Sequence, residues 1–304
     1  MAAIRSTQEL VERARAGGPM RVVVPGAESE TALGAVLEAM RQGLALPVLI
    51  GDAAAIERLV ASLGEDAASV EIHHEPDDAT AARRAVAMIR AGEARVLLKG
   101  RLHTADLMRA VLDRESGLRT GRMLSDVLVS EHPQAPRLVG VSDGGVNVAP
   151  DLARKKAILE NAVRVFRRLG VERPKVAVLC AVETVEESQP QTRDARALAE
   201  MAERGEIEGC DVFGPIALDG ALAIHAAQAK HMTSPVAGRA DILLVQTIEV
   251  GNVLGKAFTW LAGKPVAHLI EGASAPVLIP SRAEAAQDKL CSIALGILAS
   301  REGP

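Results

Sequence analysis

Two α/β halves, each built on a mostly parallel sheet, are what this sequence predicts, on three observations. Short β-branched runs alternate with longer amphipathic stretches, the rhythm of βα units. That alternation fills the first hundred residues and starts again near residue 138. The chain has 304 residues, 48% apolar and 24% charged, enough for two hydrophobic cores and too polar for a membrane bundle.

The elements follow in order. Residues 21–24, 47–50, 70–73 and 95–98 are apolar runs of strand length. Between them, residues 28–41 place Leu33, Val36, Leu37 and Met40 on one helical stripe, and residues 79–90 repeat the pattern with Val86 and Ile89. The second set has strands at 138–141, 175–179, 241–245, 266–269 and 277–279, with a helix over 152–169. Pro133 and Pro136 in polar company disfavour helix, so residues 130–136 are expected to cross between the halves.

Composition excludes several functions. Thirty-five basic against 39 acidic residues give a net charge of −4, without the basic field that nucleic acid or anionic lipid demands. Phe166, Phe213, Phe258 and Trp260 are the only ring residues besides histidine, which argues against base-stacking platforms. Cys180, Cys210 and Cys291 lack CxxC spacing, consistent with a reducing compartment. Residues 1–18 carry Arg5, Glu9, Glu12, Arg13 and Arg15 and no apolar signal region, and no run of about eighteen apolar residues occurs anywhere. A cytoplasmic protein that contacts neither membrane nor nucleic acid is expected.

Familiar motifs fail. Gly251-Asn252-Val253-Leu254-Gly255-Lys256 has three residues between its glycines where a Walker loop needs four, and Ala257 stands where that loop has Ser or Thr. No GxGxxG follows an early strand. His73 and His74 are adjacent on a strand and so point to opposite faces, with no metal-ligand spacing around them.

Two strand ends carry chemistry. In residues 275–284 an apolar strand stops at Pro280, and Ser281 followed by Glu284 is a capping-box pattern that predicts an immediate helix start. A helix beginning at the carboxyl end of a parallel strand presents free N–H groups to an anion, and Arg282 adds a full charge. Ala286, Leu290, Ile293 and Ile297 form the expected buried stripe, with Asp288 opposite. The same pattern also reads as a cap, a solvated arginine and an exposed carboxylate. The second strand end runs from Lys99 through Gly100, Arg101, His103 and Thr104 to Arg109, a basic wall suited to phosphate or, equally, a glycine-punctuated turn.

These stretches resemble the phosphate acetyltransferase and phosphate butyryltransferase family. The resemblance rests on Thr104-Ala105-Asp106 and Gly117-Leu118-Arg119; on Gly214-Pro215, Lys230, Ser234-Pro235-Val236-Ala237-Gly238, Ala240-Asp241 and Glu249-x-Gly251-Asn252; and on Ser281-Arg282. It implies two α/β/α domains similar to isocitrate and isopropylmalate dehydrogenases, with an interdomain cleft. The final helix would return to the first domain, giving domains 1–130 plus 281–304 and 131–280. It further implies acyl transfer between coenzyme A and inorganic phosphate, with coenzyme A as substrate, no cofactor or metal, and a homodimer or higher homo-oligomer.

The residues matching the family's functional motif are Ser281, Arg282, Asp288 and Arg109. Asp288 corresponds to the base for the coenzyme A thiol, and the serine and arginines to groups that hold substrate. Arg101 substitutes for a further arginine of the acetyltransferase branch. Thr104, Lys230, Ser234 and Asn252 are expected in substrate binding. Gln246-Thr247 departs from the proline and acidic residue common in the family, a change that bears on acyl-chain size.

An ordinary carboxylate is a weak base for a thiol, because reference pKa values of about 3.9 and 8.5 make the transfer uphill by about 6 kcal/mol. The chemistry therefore demands a carboxylate withdrawn from water. Two rivals share parts of the pattern: a metal- and NAD-dependent dehydrogenase of the isocitrate or hydroxythreonine-phosphate type, and a non-catalytic acyl-CoA-binding protein.

Overall fold

The protein's structure, a computed structural model, describes residues 2–281 and 284–301. It comprises two compact units: a terminal unit of residues 7–122 with the described part of 267–301, and a central unit of residues 2–6 and 123–266.

In the terminal unit, α1 (Thr7–Ala16), β1 (Met20–Pro25), α2 (Glu30–Arg41), β2 (Ala45–Gly51), α3 (Ala53–Ser62), β3 (Glu71–His74), α4 (Asp78–Arg90), β4 (Val96–Leu98) and α5 (Thr104–Val111) alternate as expected. Ser29, Asp52 and Asp77 start α2, α3 and α4 by accepting a backbone N–H three residues on. After the central unit, the chain returns with β10 (Val266–Glu271), β11 (Val277–Leu278) and α11 (Ala286–Ser300). The strand order is β3-β2-β1-β4-β11-β10. Pairing is parallel except between β10 and β11.

In the central unit, β5 (Ser125–Glu131), β6 (Leu138–Ser142), α6 (Leu152–Arg168), β7 (Lys175–Leu179), α7 (Gln191–Glu203), β8 (Asp211–Ile216), α8 (Leu218–Leu222), α9 (Ile224–Ala229), β9 (Ile242–Leu244) and α10 (Ile248–Trp260) follow in turn. The order is β5-β6-β9-β7-β8, with only β5 and β6 antiparallel. Phe166 of α6 is fully buried here. No described helix is long and apolar enough to cross a membrane.

Three expectations are corrected. Residues 130–136 do not cross between units: they close the β5–β6 hairpin, in which Ser130 pairs with Val139 and Glu131 with Leu138. The units accordingly divide at 122/123 and 266/267, not at 130/131 and 280/281, because β5 belongs with β6 while β10 and β11 join the terminal sheet. Finally, α11 has no exposed face along most of its length. Every residue from Asp288 to Ala299 is buried, with α1 and α2 on one side and β4 and β11 on another. Such a helix shows a weak apolar stripe because apolar residues surround it.

Candidate active site

The sheet register brings the two chemically marked strand ends together. Leu97 and Leu98 of β4 align in parallel with Val277 and Leu278 of β11. The Lys99 N–H donates to Leu278 O at 2.9 Å. On the other side of β4, Gly100 N–H reaches Pro25 O at 3.1 Å and Arg101 N–H reaches Gly26 O at 2.7 Å. Residues 99–104 and 279–281 therefore leave the sheet side by side, at the carboxyl ends where parallel α/β sheets place their ligands.

The turn before α11 is built differently from the expected capping box. Ser281 N–H donates to Glu284 Oε1 at 2.8 Å, and Glu284 N–H returns to Ser281 O at 3.2 Å. This closes a separate turn, and the helix begins only at Ala286. Its N-terminal cap is Ala285, whose N–H donates to Asp288 Oδ2 at 3.2 Å. Asp288 is 3% exposed, so the carboxylate is withdrawn from water instead of lying opposite the buried stripe. Ser281 remains exposed. Arg282 lies outside the described residues.

A second set of bonds ties this turn to β10. The Ser292 hydroxyl donates to Asp288 O at 3.0 Å and accepts the His268 N–H at 2.9 Å. His268 Nε2 stands 3.8 Å from Glu284 Oε1. Buried Lys289 donates through Nζ to Glu284 O at 2.5 Å. Burial pushes the Glu284 carboxyl above the ordinary glutamate range, with His268 and the Ser281 N–H pulling it back.

On the neighbouring strand end, Arg101 faces two carboxylates, Glu28 at 3.4 Å and Asp78 at 3.1 Å. Thr104 is the first residue of α5. The cap position belongs to His103, whose side chain makes no capping bond. Arg109, in the last turn of α5, is 74% exposed in its side chain and pairs with Asp106 at 2.6 Å. A surface pair of this kind is worth little and exchanges readily for a phosphate.

Lys230, Ser234 and Asn252 belong to the central unit. Lys230 Nζ bonds Glu183 at 2.6 Å and Asp219 at 2.8 Å. Ser234 Oγ accepts the Val236 N–H at 3.2 Å, shaping the 234–238 turn. Asn252 Nδ2 reaches Gly144 O at 3.4 Å. The glycines of the failed Walker pattern serve packing of α10: a Cβ on Gly251 would lie 2.5 Å from Asp143 O, and one on Gly255 2.7 Å from Leu128 Cδ1.

His268 and Asp143 were not marked by sequence, and Glu284 was marked only as the far end of a capping-box pattern. Asp143 Oδ1 accepts N–H groups from Gly145 and Val146, each at 2.8 Å, and Oδ2 accepts from Asn147 Nδ2 at 2.5 Å. Burial, with Asp126 nearby, raises its pKa. Asp-Gly-Gly after a strand signals only a turn, and the buried partner across β5 is legible only once the sheet is formed.

Comparison with known proteins shows the family. The family model described as phosphate acetyl/butaryl transferase matches residues 55–297. A phosphate butyryltransferase of Clostridium acetobutylicum is 40% identical over 97% of this chain and 98% of its own. A phosphate acetyltransferase of Rhizobium meliloti is 40% identical over 95% of this chain and 92% of its own. A solved branched-chain phosphotransacylase from Enterococcus faecalis V583 superposes with a TM-score of 0.82 at 29% identity, covering 92% of this chain and 99% of that one. The chain belongs to the phosphate acetyl/butaryl transferase family, and it is a phosphate acyltransferase.

Proposed function

We propose that the chain moves a short acyl group, acetyl to butyryl, reversibly between coenzyme A and inorganic phosphate, with Asp288 as the base for the thiol. The observation that carries this reading is the burial of Asp288 beside the turn that presents Ser281. In the thiol direction Asp288 takes the S–H proton and the thiolate sulfur bonds to the acyl carbon. The carbon–oxygen bond to phosphate then breaks, and phosphate leaves with the electron pair. Ser281 and Arg282 hold the carbonyl oxygen as it gains charge. Arg109, Arg101 and the start of α5 at Thr104 meet phosphate groups of the substrates. Lys230, Ser234 and Asn252 contribute to substrate binding and carry no chemical step. Coenzyme A is a substrate, and no cofactor or metal takes part.

The test is release of free thiol from a panel of acyl-CoAs with and without phosphate. Release dependent on phosphate supports the reading; release indifferent to it rejects it. Arg109→Lys raises the KM for acyl-CoA about 3- to 10-fold with kcat largely kept, because an ammonium cannot bind phosphate bidentately.

The protein acts in the cytoplasm as a homodimer or higher homo-oligomer. Support for self-association comes from α10, where Val250 and Val253 are exposed in line with Trp260 and, just beyond the helix, Leu261, the last two at 71% and 87%. Trp260→Glu is expected to shift the mass measured by light scattering toward the monomer. An unchanged mass would remove this helix from the interface.

A further inference from the structure

The Glu284 side chain is 10% exposed, and its Oε2 is a buried acceptor with no hydrogen-bond partner. Leaving such an atom unsatisfied is costly, so the position is held by something else. Three bonds hold it: Oε1 receives the Ser281 N–H, the backbone N–H donates to Ser281 O, and the carbonyl receives the Lys289 ammonium. Ser292 links the same region to Asp288 and to the His268 backbone. One carboxylate is thus fixed between the exposed serine and the buried aspartate that serves as the base.

We propose that Glu284 is a positioning residue for the acyl-transfer reaction: its carboxylate clamps the Ser281 backbone, and His268 opposite it tunes the clamp. This rests on the function proposed above. Glu284 touches no reacting atom and acts through Ser281. The clamp is strongest when Glu284 is ionised, since a hydrogen bond to a carboxylate is about twice as strong as one to a neutral acceptor. The charged and titratable groups facing it are His268 from β10 and Lys289 and Asp288 from α11. Because burial raises the Glu284 pKa, the clamp weakens at a higher pH than an exposed glutamate would allow.

The experiment has two arms on the full chain. In the first, pH profiles of phosphate-dependent thiol release are compared. Glu284→Gln keeps an acceptor for the Ser281 N–H without a charge. It is expected to lower kcat about 3- to 10-fold, leave the KM for acyl-CoA unchanged and flatten the acid limb of the profile. His268→Gln removes a positive counter-charge and is expected to move that limb to higher pH. In the second arm, the Ser281 amide resonance is followed by NMR as pH is lowered. It is expected to titrate in the native chain and in His268→Gln, but not in Glu284→Gln.

A native-like profile in Glu284→Gln, or a Ser281 amide that does not titrate, overturns the proposal. If the native chain released thiol without regard to phosphate, the function would fail while the amide titration still reported on the clamp.

Discussion

Asp288→Asn lowers both phosphate-dependent thiol release from acyl-CoA and the reverse consumption of thiol by acyl phosphate by about 10²- to 10⁴-fold, with KM values close to native. The substitution is chosen for what it preserves. Asparagine keeps an oxygen that can accept the Ala285 N–H, now at 3.2 Å from Asp288 Oδ2, so the start of α11 stays capped. It loses only the capacity to take a proton. Asp288→Ala loses both, and is expected to add a stability loss of about 0.5–2 kcal/mol, read from the denaturant midpoint. If Asp288→Asn retained more than about a tenth of native kcat, the proton would have to go elsewhere, since general base catalysis is worth at least about 10²-fold.

Gly100→Ala is expected to be damaging at a position with no reactive group. A Cβ there would lie 2.0 Å from Gly26 O, 2.5 Å from Gly26 C and 2.6 Å from Pro25 O, all backbone atoms that no rotamer change can move. The ends of β1 and β4 must part, loosening Gly100 N–H to Pro25 O and Arg101 N–H to Gly26 O. Overpacking together with two weakened backbone bonds costs about 3 kcal/mol, visible as a lower denaturant midpoint. The displaced segment carries Arg101 and Thr104, and a shift of about 1 Å at a binding wall can cost about 10²-fold in kcat/KM. A variant with native midpoint and activity would show that this strand end can give way and is not a fixed part of the site.

Much of the fold is legible in the sequence, and the failures have particular causes. The strand expected at 175–179 is β7 to the residue, a β-branched run that opens directly after Pro174. β8 is not among the expected strands, Gly214 and Pro215 interrupting its apolar run; it forms at the edge of its sheet, where a missing N–H does little harm. In β5, Ser125, Asp126 and Ser130 break the apolar run, yet all are buried. Ser130 is satisfied by donating to Pro265 O at 2.7 Å, a partner far along the chain.

The site follows the same division. Ser281 and Asp288 are marked by family resemblance, and the adjacency of the strand ends that lead to Ser281 and to Arg101 follows from the parallel pairing of β4 with β11. The burial of Asp288 is not legible, because the stripe assumes a helix with one wet face. The approach of His268 to Glu284 depends on β10 lying against α11 through Ser292, a contact no local pattern encodes.

The position of α11 also constrains biosynthesis. This 15-residue helix lies in the core against α1 and α2, although the whole central unit is translated between them. As the polypeptide leaves the ribosome, its early βα units emerge with a vacant apolar groove and must wait for the late helix to fill it. Completion of the terminal unit must thereby wait until the central unit has been synthesised, whereas the central unit, apart from residues 2–6, is continuous and can fold while synthesis proceeds.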